Sequence, residues 1–164
     1  MKAFRKDAAP QTPLSWIALL RSMVGVMFLS TWAINLWRGY YTPDGLERFF
    51  YEFYPPAENP LAFYGWSINH IILPIRGVFA PFQLVSEGLL GLALLLGAFT
   101  PFFSLAGIFF LVNTLLASLG HDWPWSYLLP IGILVVTFFT QAGRSLGVDV
   151  YLLKRFGDRS RWLW

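Results

Sequence analysis

Residues 77–98 read GVFAPFQLVSEGLLGLALLLGA and contain one charged side chain, Glu87. A run this long and apolar can cross about 30 Å of hydrocarbon only as a helix, because a helix satisfies its backbone hydrogen bonds internally. Three further runs are apolar enough to do the same, namely residues 14–36, 102–119 and 125–141. The sequence therefore predicts an all-α integral membrane protein, a four-helix bundle that forms a single transmembrane domain over residues 1–164.

The composition indicates that a lipid bilayer is the solvent. Of the 164 residues, 56% are hydrophobic, 19% are aromatic and only 13% are charged, and the mean hydropathy is +0.54. A soluble domain of this size could not bury so much apolar surface, which excludes a disordered chain and an ordinary soluble enzyme. The chain has no Cys, which excludes disulfides, a thiol nucleophile, an Fe–S cluster and a Cys–Zn site.

The basic residues indicate the orientation of the bundle. Three Lys or Arg precede the first run and five follow residue 141, whereas the connection between the first two runs is net negative. We therefore expect both termini in the cytoplasm and a multi-pass protein in the inner (cytoplasmic) membrane, ending in an amphipathic cytoplasmic segment at 146–156. A cleaved signal peptide is the alternative for residues 14–36, but the run is too long for one and lacks a small-residue cleavage site.

The first extracytoplasmic loop is predicted to be helical. Thr42-Pro43 and Asn59-Pro60 are typical helix-start pairs, and aromatic residues, which favour the headgroup zone, are concentrated between them. We expect two interfacial helices at about 43–54 and 60–73. A fifth span at 61–75 is the alternative, although it is short and would disturb the charge distribution.

Ionisable side chains inside a span cost about 2.5–3.5 kcal/mol each on insertion scales, so they normally face protein or water. Arg21 and Glu87 lie at depths that a long Arg side chain could bridge, and we predict a buried Arg21–Glu87 pair with Gln141 or Arg144 nearby. Three interpretations stay open: a pair that only sets helix register, a pocket for an anion, a quinone headgroup or a proton, or pairing with another subunit. Further polar residues line the predicted bundle faces: Asn35, Gln83, Asn113 and Thr137.

His70 and His121 are the two candidate ligands for a haem or a (bacterio)chlorophyll. Neither lies well inside a predicted span, and single His residues at interfaces usually form ordinary hydrogen bonds, so we expect no intrinsic cofactor. No metal site is predicted. The aromatic clusters could stack a quinone, but an interfacial belt explains most of them.

Three motifs carry a resemblance to a known family. They are Leu-Leu-Arg at 19–21 with Gly25, Glu-Gly-Leu-Leu-Gly at 87–91, and Gly-Arg-Ser-Leu-Gly-Val-Asp at 143–149. Together they resemble the DoxX/DoxD family of four-helix membrane proteins over roughly residues 14–150. The resemblance implies family polar positions at Arg21, Glu87, Arg144 and Asp149.

The family's namesake is the membrane subunit of a thiosulfate:quinone oxidoreductase, and other members are associated with redox complexes. The resemblance therefore implies the fold more strongly than the reaction. We favour an accessory, mainly structural subunit of a larger respiratory or photosynthetic electron-transfer complex, packed against lipid and other membrane subunits and not against nucleic acid. The alternatives are the thiosulfate:quinone oxidoreductase-type subunit, in which Arg21 or Arg144 would hold a small anion, and a small transporter. Whether the chain is an enzyme stays open.

Overall fold

The computed structural model describes residues 13–157, and all regular elements within that range are helical. The helices are α1 (Leu14–Trp37), α2 (Pro43–Phe53), α3 (Ala62–Ser67), α4 (Arg76–Leu96), α5 (Thr100–Ala117), α6 (Trp125–Thr140) and α7 (Asp149–Phe156). Short 3₁₀ turns occupy Pro56–Glu58 and Ala142–Arg144, and a π-helical turn at Ile68–Ile72 extends α3. The basic residues at 2–6 and 159–161, which enter the orientation argument, lie outside the described residues.

Three of these helices, α1, α4 and α5, are long and apolar enough to cross a membrane. Helix α6 is also apolar but has 16 residues, which is about 24 Å at 1.5 Å per residue. Three candidate spans identify a multi-pass membrane protein. The outward faces of these helices are correspondingly apolar, with side chains such as Val78, Phe109 and Phe139 more than two-thirds exposed.

Helices α1 and α4 run antiparallel and approach each other most closely at glycines. A Cβ atom on Gly25 would lie 2.5 Å from the backbone nitrogen of Leu95. Further along the pair, Trp32 packs against Gly88 and donates a hydrogen bond from Nε1 to the carbonyl of Leu84, 2.9 Å away. Small residues allow close backbone packing where the surrounding lipid supplies no hydrophobic driving force between helices.

Two apolar cores support the bundle. The main core joins α1, α4, α5 and α6 and contains Val24, Phe28, Leu90, Leu94, Leu111 and Leu134. The second core lies beneath α2 and α3 and contains Leu46, Phe50, Ile68, Leu73, Ala80 and Ala117. Because α2 and the π-helical turn that extends α3 bury apolar side chains, the connection between α1 and α4 is a packed layer and not an open loop.

The two ends of the bundle have different structures. We call the end that carries the α4–α5 turn (97–99), residues 141–149 and α7 the α7 face. We call the opposite end, which carries α2, α3 and the α5–α6 connection (118–124), the loop face. The start of α1 lies at the α7 face, because the Arg21 guanidinium lies against Gly97 at the end of α4.

We call the packed layer that contains α2 and α3 the loop-face layer. Its helix starts follow local sequence signals. The predicted start at Thr42-Pro43 is confirmed, since the Thr42 hydroxyl accepts a hydrogen bond from the Gly45 amide at 3.1 Å. Helix α3 begins at Ala62, two residues later than predicted. The reason is that the Asn59 side chain accepts from the Leu61 amide at 2.8 Å and forms a turn before the helix.

The glycine contact between α1 and α4 gives a stability prediction. Gly25→Ala places a methyl group against the α4 backbone and should lower the free energy of unfolding by about 1–3 kcal/mol, as overpacking does. The matched control is Gly132→Ala, because Gly132 is exposed within α6 and has open space where its Cβ would lie. That variant should be neutral or stabilising by up to about 1 kcal/mol. Unfolding by SDS in mixed micelles, followed by circular dichroism, measures both, and equal effects would contradict the close-packed register.

Candidate functional site

Arg21 lies at the α7 face and binds the chain that follows α6. It is 1% exposed. Its Nη1 donates to the carbonyl of Ala142 at 3.3 Å, and its Nη2 donates to the carbonyl of Leu146 at 2.6 Å. A buried guanidinium that donates to main-chain carbonyls far away in the sequence holds two distant parts of the chain together. In this way Arg21 ties α1 to the segment after α6.

Asp149 supplies the cap that helix α5 lacks. The residue before α5, Phe99, offers no side-chain acceptor, and helix starts leave amide groups without intrahelical partners. The fully buried Asp149 carboxylate accepts from the amides of Phe99 at 2.7 Å and Thr100 at 2.9 Å. Its negative charge also suits the positive end of the helix dipole and attracts Arg21.

Two glycines allow this docking. A Cβ on Gly143 would lie 2.1 Å from Oγ1 of Thr100 and 2.2 Å from Oδ2 of Asp149, and a Cβ on Gly97 would lie 2.2 Å from Nη1 of Arg21. Gly97 also has φ +65°, the left-handed conformation that ends α4. The amide of Asp149 donates to the Gly97 carbonyl at 3.0 Å. We call Arg21, Gly97, Gly143 and Asp149, with these contacts, the α7-face anchor.

The predicted Arg21–Glu87 pair is wrong. The guanidinium of Arg21 lies at Gly97, ten residues beyond Glu87 on α4, or about 15 Å along the helix. Side chains lean towards the N-terminus of their own helix. In antiparallel α1 and α4, Arg21 therefore leans towards the α7 face and Glu87 towards the loop face, so the two side chains diverge.

Glu87 forms a separate polar cluster nearer the loop face. It is 2% exposed, and its Oε2 accepts a hydrogen bond from the hydroxyl of Tyr41 at 2.6 Å. The Asn35 side chain from α1 also lies beside both groups. We call Glu87, Tyr41 and Asn35 the Glu87 cluster. Tyr41 lies between α1 and α2, so the cluster joins α4 to the loop-face layer.

The remaining predicted polar residues are divided among several places. Gln141 ends α6 in the left-handed conformation (φ +50°), and Arg144 follows one turn later, within the segment that Arg21 binds. Thr137 is fully buried in α6, and Gln83 is half-buried on α4. Asn113 accepts from the hydroxyl of Tyr64 and so contacts α3. The structure therefore brings Arg21 and Asp149 together, with Gln141 and Arg144 beside them, and Asn35 with Glu87.

The two candidate cofactor ligands have separate local partners. His70 stacks on Trp66 with ring centroids 4.9 Å apart and its Nδ1 lies 2.9 Å from the Trp66 carbonyl. His121 lies 3.4 Å from a carboxylate oxygen of Glu58. Among residues 13–157 no group of three or more His, Asp or Glu side chains is placed to hold a metal ion.

An apolar groove of about 570 Å³ lies on the outward face of α5. It is lined by Phe102, Leu105, Ala106, Ile108, Phe109 and Val112. Hydrocarbon chains suit such a surface in a bilayer. The residues of the predicted quinone-headgroup pocket do not line it, so the groove and the predicted pocket are different places.

Sequence reasoning missed a polar cluster at the loop face. It consists of Tyr54, Asn59, Asp122 and Tyr127, and we call it the loop-face cluster. The hydroxyls of Tyr54 and Tyr127 both donate to Oδ2 of Asp122, the first at 2.6 Å. The Asn59 side chain donates to the carbonyls of Leu116 at 2.8 Å and Ala117 at 3.1 Å, at the end of α5. The aromatic richness of residues 40–66 is the available signal, but it predicts a membrane interface or a stacking surface and not these polar contacts. These contacts fasten the loop-face layer to α5 and α6.

The α7-face anchor predicts a specific pattern of energetic coupling. Asp149→Asn and Arg21→Met should each destabilise the protein by about 3 kcal/mol, because each removes the opposite charge that attracts the other buried group. In a double-mutant cycle the two should couple by more than about 1 kcal/mol, whereas Arg21→Met and Glu87→Gln should be additive within about 0.5 kcal/mol. SDS unfolding in mixed micelles measures both cycles. Additivity of Arg21 with Asp149, or strong coupling of Arg21 with Glu87, would contradict the anchor.

The loop-face cluster predicts a pH dependence. Burial, followed by the hydrogen bond to Asp122, raises the pKa of Tyr54. Because the pKa is higher in the folded protein, the neutral Tyr54 hydroxyl stabilises the fold fully below the pKa of an unfolded tyrosine, about 10. That stabilisation is lost as the pH rises above this value. Tyr54→Phe should lower stability by about 1 kcal/mol at neutral pH and make the alkaline loss less steep. The control Tyr51→Phe, on the exposed side of α2, should do neither, and identical profiles for the two variants would refute the assignment.

No protein-family model, curated protein or solved structure matches this chain. The geometry of the α7-face anchor and the Glu87 cluster is therefore the basis on which function is argued.

Proposed function

We propose that this chain is a membrane-embedded accessory subunit of a larger redox-linked complex, as its resemblance to the DoxX/DoxD proteins implies. The observation that carries the proposal is the α7-face anchor. There the charges of Arg21 and Asp149 are taken up by main-chain carbonyls and amides. Side chains used in this way hold helices in place and do not face a substrate. The chain contributes position and packing, and electron transfer belongs to neighbouring subunits.

The proposal includes a four-span topology in an inner membrane with both termini in the cytoplasm. Three features support it. Helix α6 packs beside α5 and α1, the turn at 142–144 continues the chain beyond its end, and the start of α1 lies at the same face as α7. Lys154 and Arg155 in the last turn of α7 agree with a cytoplasmic position for that face.

The loop face offers the surface for neighbours. Several aromatic side chains there are largely exposed, with Trp37 at 87% and Trp123 at 72%, and Phe63, Trp66 and Trp125 above half. Large amphipathic aromatics suit the headgroup zone, and aromatic residues are also enriched in protein–protein interfaces. The loop-face cluster holds the layer that carries them in a fixed position.

The first experiment is purification of the tagged protein from its native membrane in a mild detergent, with protein identification and a visible absorption spectrum. We expect a stoichiometric set of membrane partners that carries haem or another redox cofactor. Glu87→Gln and Arg21→Met, if they insert and purify normally, should reduce the yield of the complex more than the turnover of the assembled complex.

A contrary result is equally clear. A colourless protein that purifies alone and catalyses thiosulfate-dependent quinone reduction would replace the accessory role with the oxidoreductase role. Loss of a quinone-linked activity in a fully assembled Arg21→Met or Glu87→Gln complex would show that the chain takes part in the chemistry.

A further inference from the structure

Glu87 is a buried carboxyl group without a basic partner among residues 13–157. The ion pairs within that range are Arg48–Glu52, Arg76–Glu47 and His121–Glu58. Arg21, the one cationic residue of α1, binds carbonyls at the other end of the bundle. Within the described residues, no salt bridge therefore holds Glu87 in its charged form.

Within residues 13–157, the helices packed against α4 do not supply a compensating positive charge. Helix α5 carries no charged residue, and α1 carries only Arg21. Helix α2 carries more acidic than basic groups, namely Asp44, Glu47, Arg48 and Glu52. Of these, Glu47 is paired with Arg76 of α4 at 3.2 Å, and Arg48 lies 4.0 Å from Glu52. The polar groups that face Glu87 are the hydroxyl of Tyr41 and the amide of Asn35.

These two partners can satisfy Glu87 with or without a proton. The Tyr41 hydroxyl donates to Oε2, which either form of the carboxyl group can accept. An Asn side chain offers an NH₂ donor and a carbonyl acceptor, so Asn35 can donate to a carboxylate or accept from a carboxylic acid. Since an unpaired buried charge is costly, a site with adaptable partners can lose and regain its proton without losing its hydrogen bonds.

We propose that Glu87 is a proton-binding site in the membrane-embedded part of the protein, connected to the loop face through Tyr41. Its ligand is H⁺: uptake converts the carboxylate into the neutral acid, and release reverses this, with no other bond made or broken. Tyr41 precedes Thr42, the residue that caps α2. One hydrogen bond therefore links the charge of Glu87 to the anchoring of the loop-face layer. This site does not depend on the proposed accessory function.

Asp149 is the internal control. It is as deeply buried as Glu87. However, its partners are two backbone amides, with Arg21 nearby. Main-chain N–H groups can only donate, so these two partners suit a carboxylate and cannot accept the proton of a carboxylic acid. The same chain thus contains one buried carboxyl group with adaptable partners and one with fixed partners.

The test uses dicyclohexylcarbodiimide, an apolar reagent that reacts with protonated carboxyl groups in apolar surroundings. It adds the whole carboxylic acid across one C=N bond and rearranges to a stable acylurea, so the peptide gains the mass of the reagent. The full-length protein in liposomes is treated across a pH series and analysed by peptide mass spectrometry. We expect modification at Glu87 that falls by about tenfold for each pH unit above its midpoint, as a single titrating site requires, and no modification at Asp149.

Two tyrosine variants test the connection to the loop face. Tyr41→Phe removes a donor that favours the carboxylate, so modification of Glu87 should persist to higher pH. Tyr40→Phe is the matched control, because Tyr40 is equally buried but packs its ring against Phe49 and Phe53. An unmodified Glu87 at every pH, equal modification of Asp149, or modification that does not vary with pH would overturn the site. Identical pH curves for the two variants would overturn the role of Tyr41.

Discussion

The hydrogen bonds from the first amides of α5 to the carboxylate of Asp149 are the contact on which the α7 face depends. Helix α5 begins after a left-handed residue with no capping side chain, so its first amides must find an acceptor elsewhere or stay unsatisfied in an apolar environment. The acceptor comes from 49–50 residues further along the chain. Once Asp149 is seated there, the carbonyls of Ala142 and Leu146 face Arg21, and α1 is fastened to the same point. One requirement of a helix start thus organises the ends of α1, α4, α5 and α6.

The direction of side chains explains why the two intramembrane charges separate. In an antiparallel helix pair, side chains on the two helices lean in opposite directions along the shared axis. A depth estimate based only on Cα positions places Arg21 and Glu87 within reach of each other. Because the two side chains lean in opposite directions, they end further apart than their Cα atoms. The Arg21 side chain reaches the α7 face, and the Glu87 side chain reaches Tyr41. Arg21 and Glu87 therefore belong to two separate polar centres, each satisfied by different elements.

Local sequence signals were sufficient to place the helices, and insufficient to identify their partners. Hydropathy places α1, α4, α5 and α6, and Thr42-Pro43 places the start of α2. The motif at 143–149 contributes to the family resemblance, but the groups that it binds lie on other helices, as much as 125 residues away. The bond between Tyr54 and Asp122 likewise joins positions 68 residues apart. Helical periodicity describes the faces of one helix at a time. It cannot predict contacts that a helix end makes with another helix or with a connecting segment.

The two polar centres also differ in how freely they can change. A backbone N–H group can only donate and a backbone carbonyl can only accept. A side chain bound by these groups is therefore held in one charge state as well as in one position. The hydroxyl of Tyr41 and the amide of Asn35 can each both donate and accept. A carboxyl group held by such side chains keeps its hydrogen bonds through a change of charge. A rigid scaffold at one end and an adaptable acid near the other are therefore compatible within one bundle. Any response to proton concentration would begin at Glu87 and reach the loop face through Tyr41.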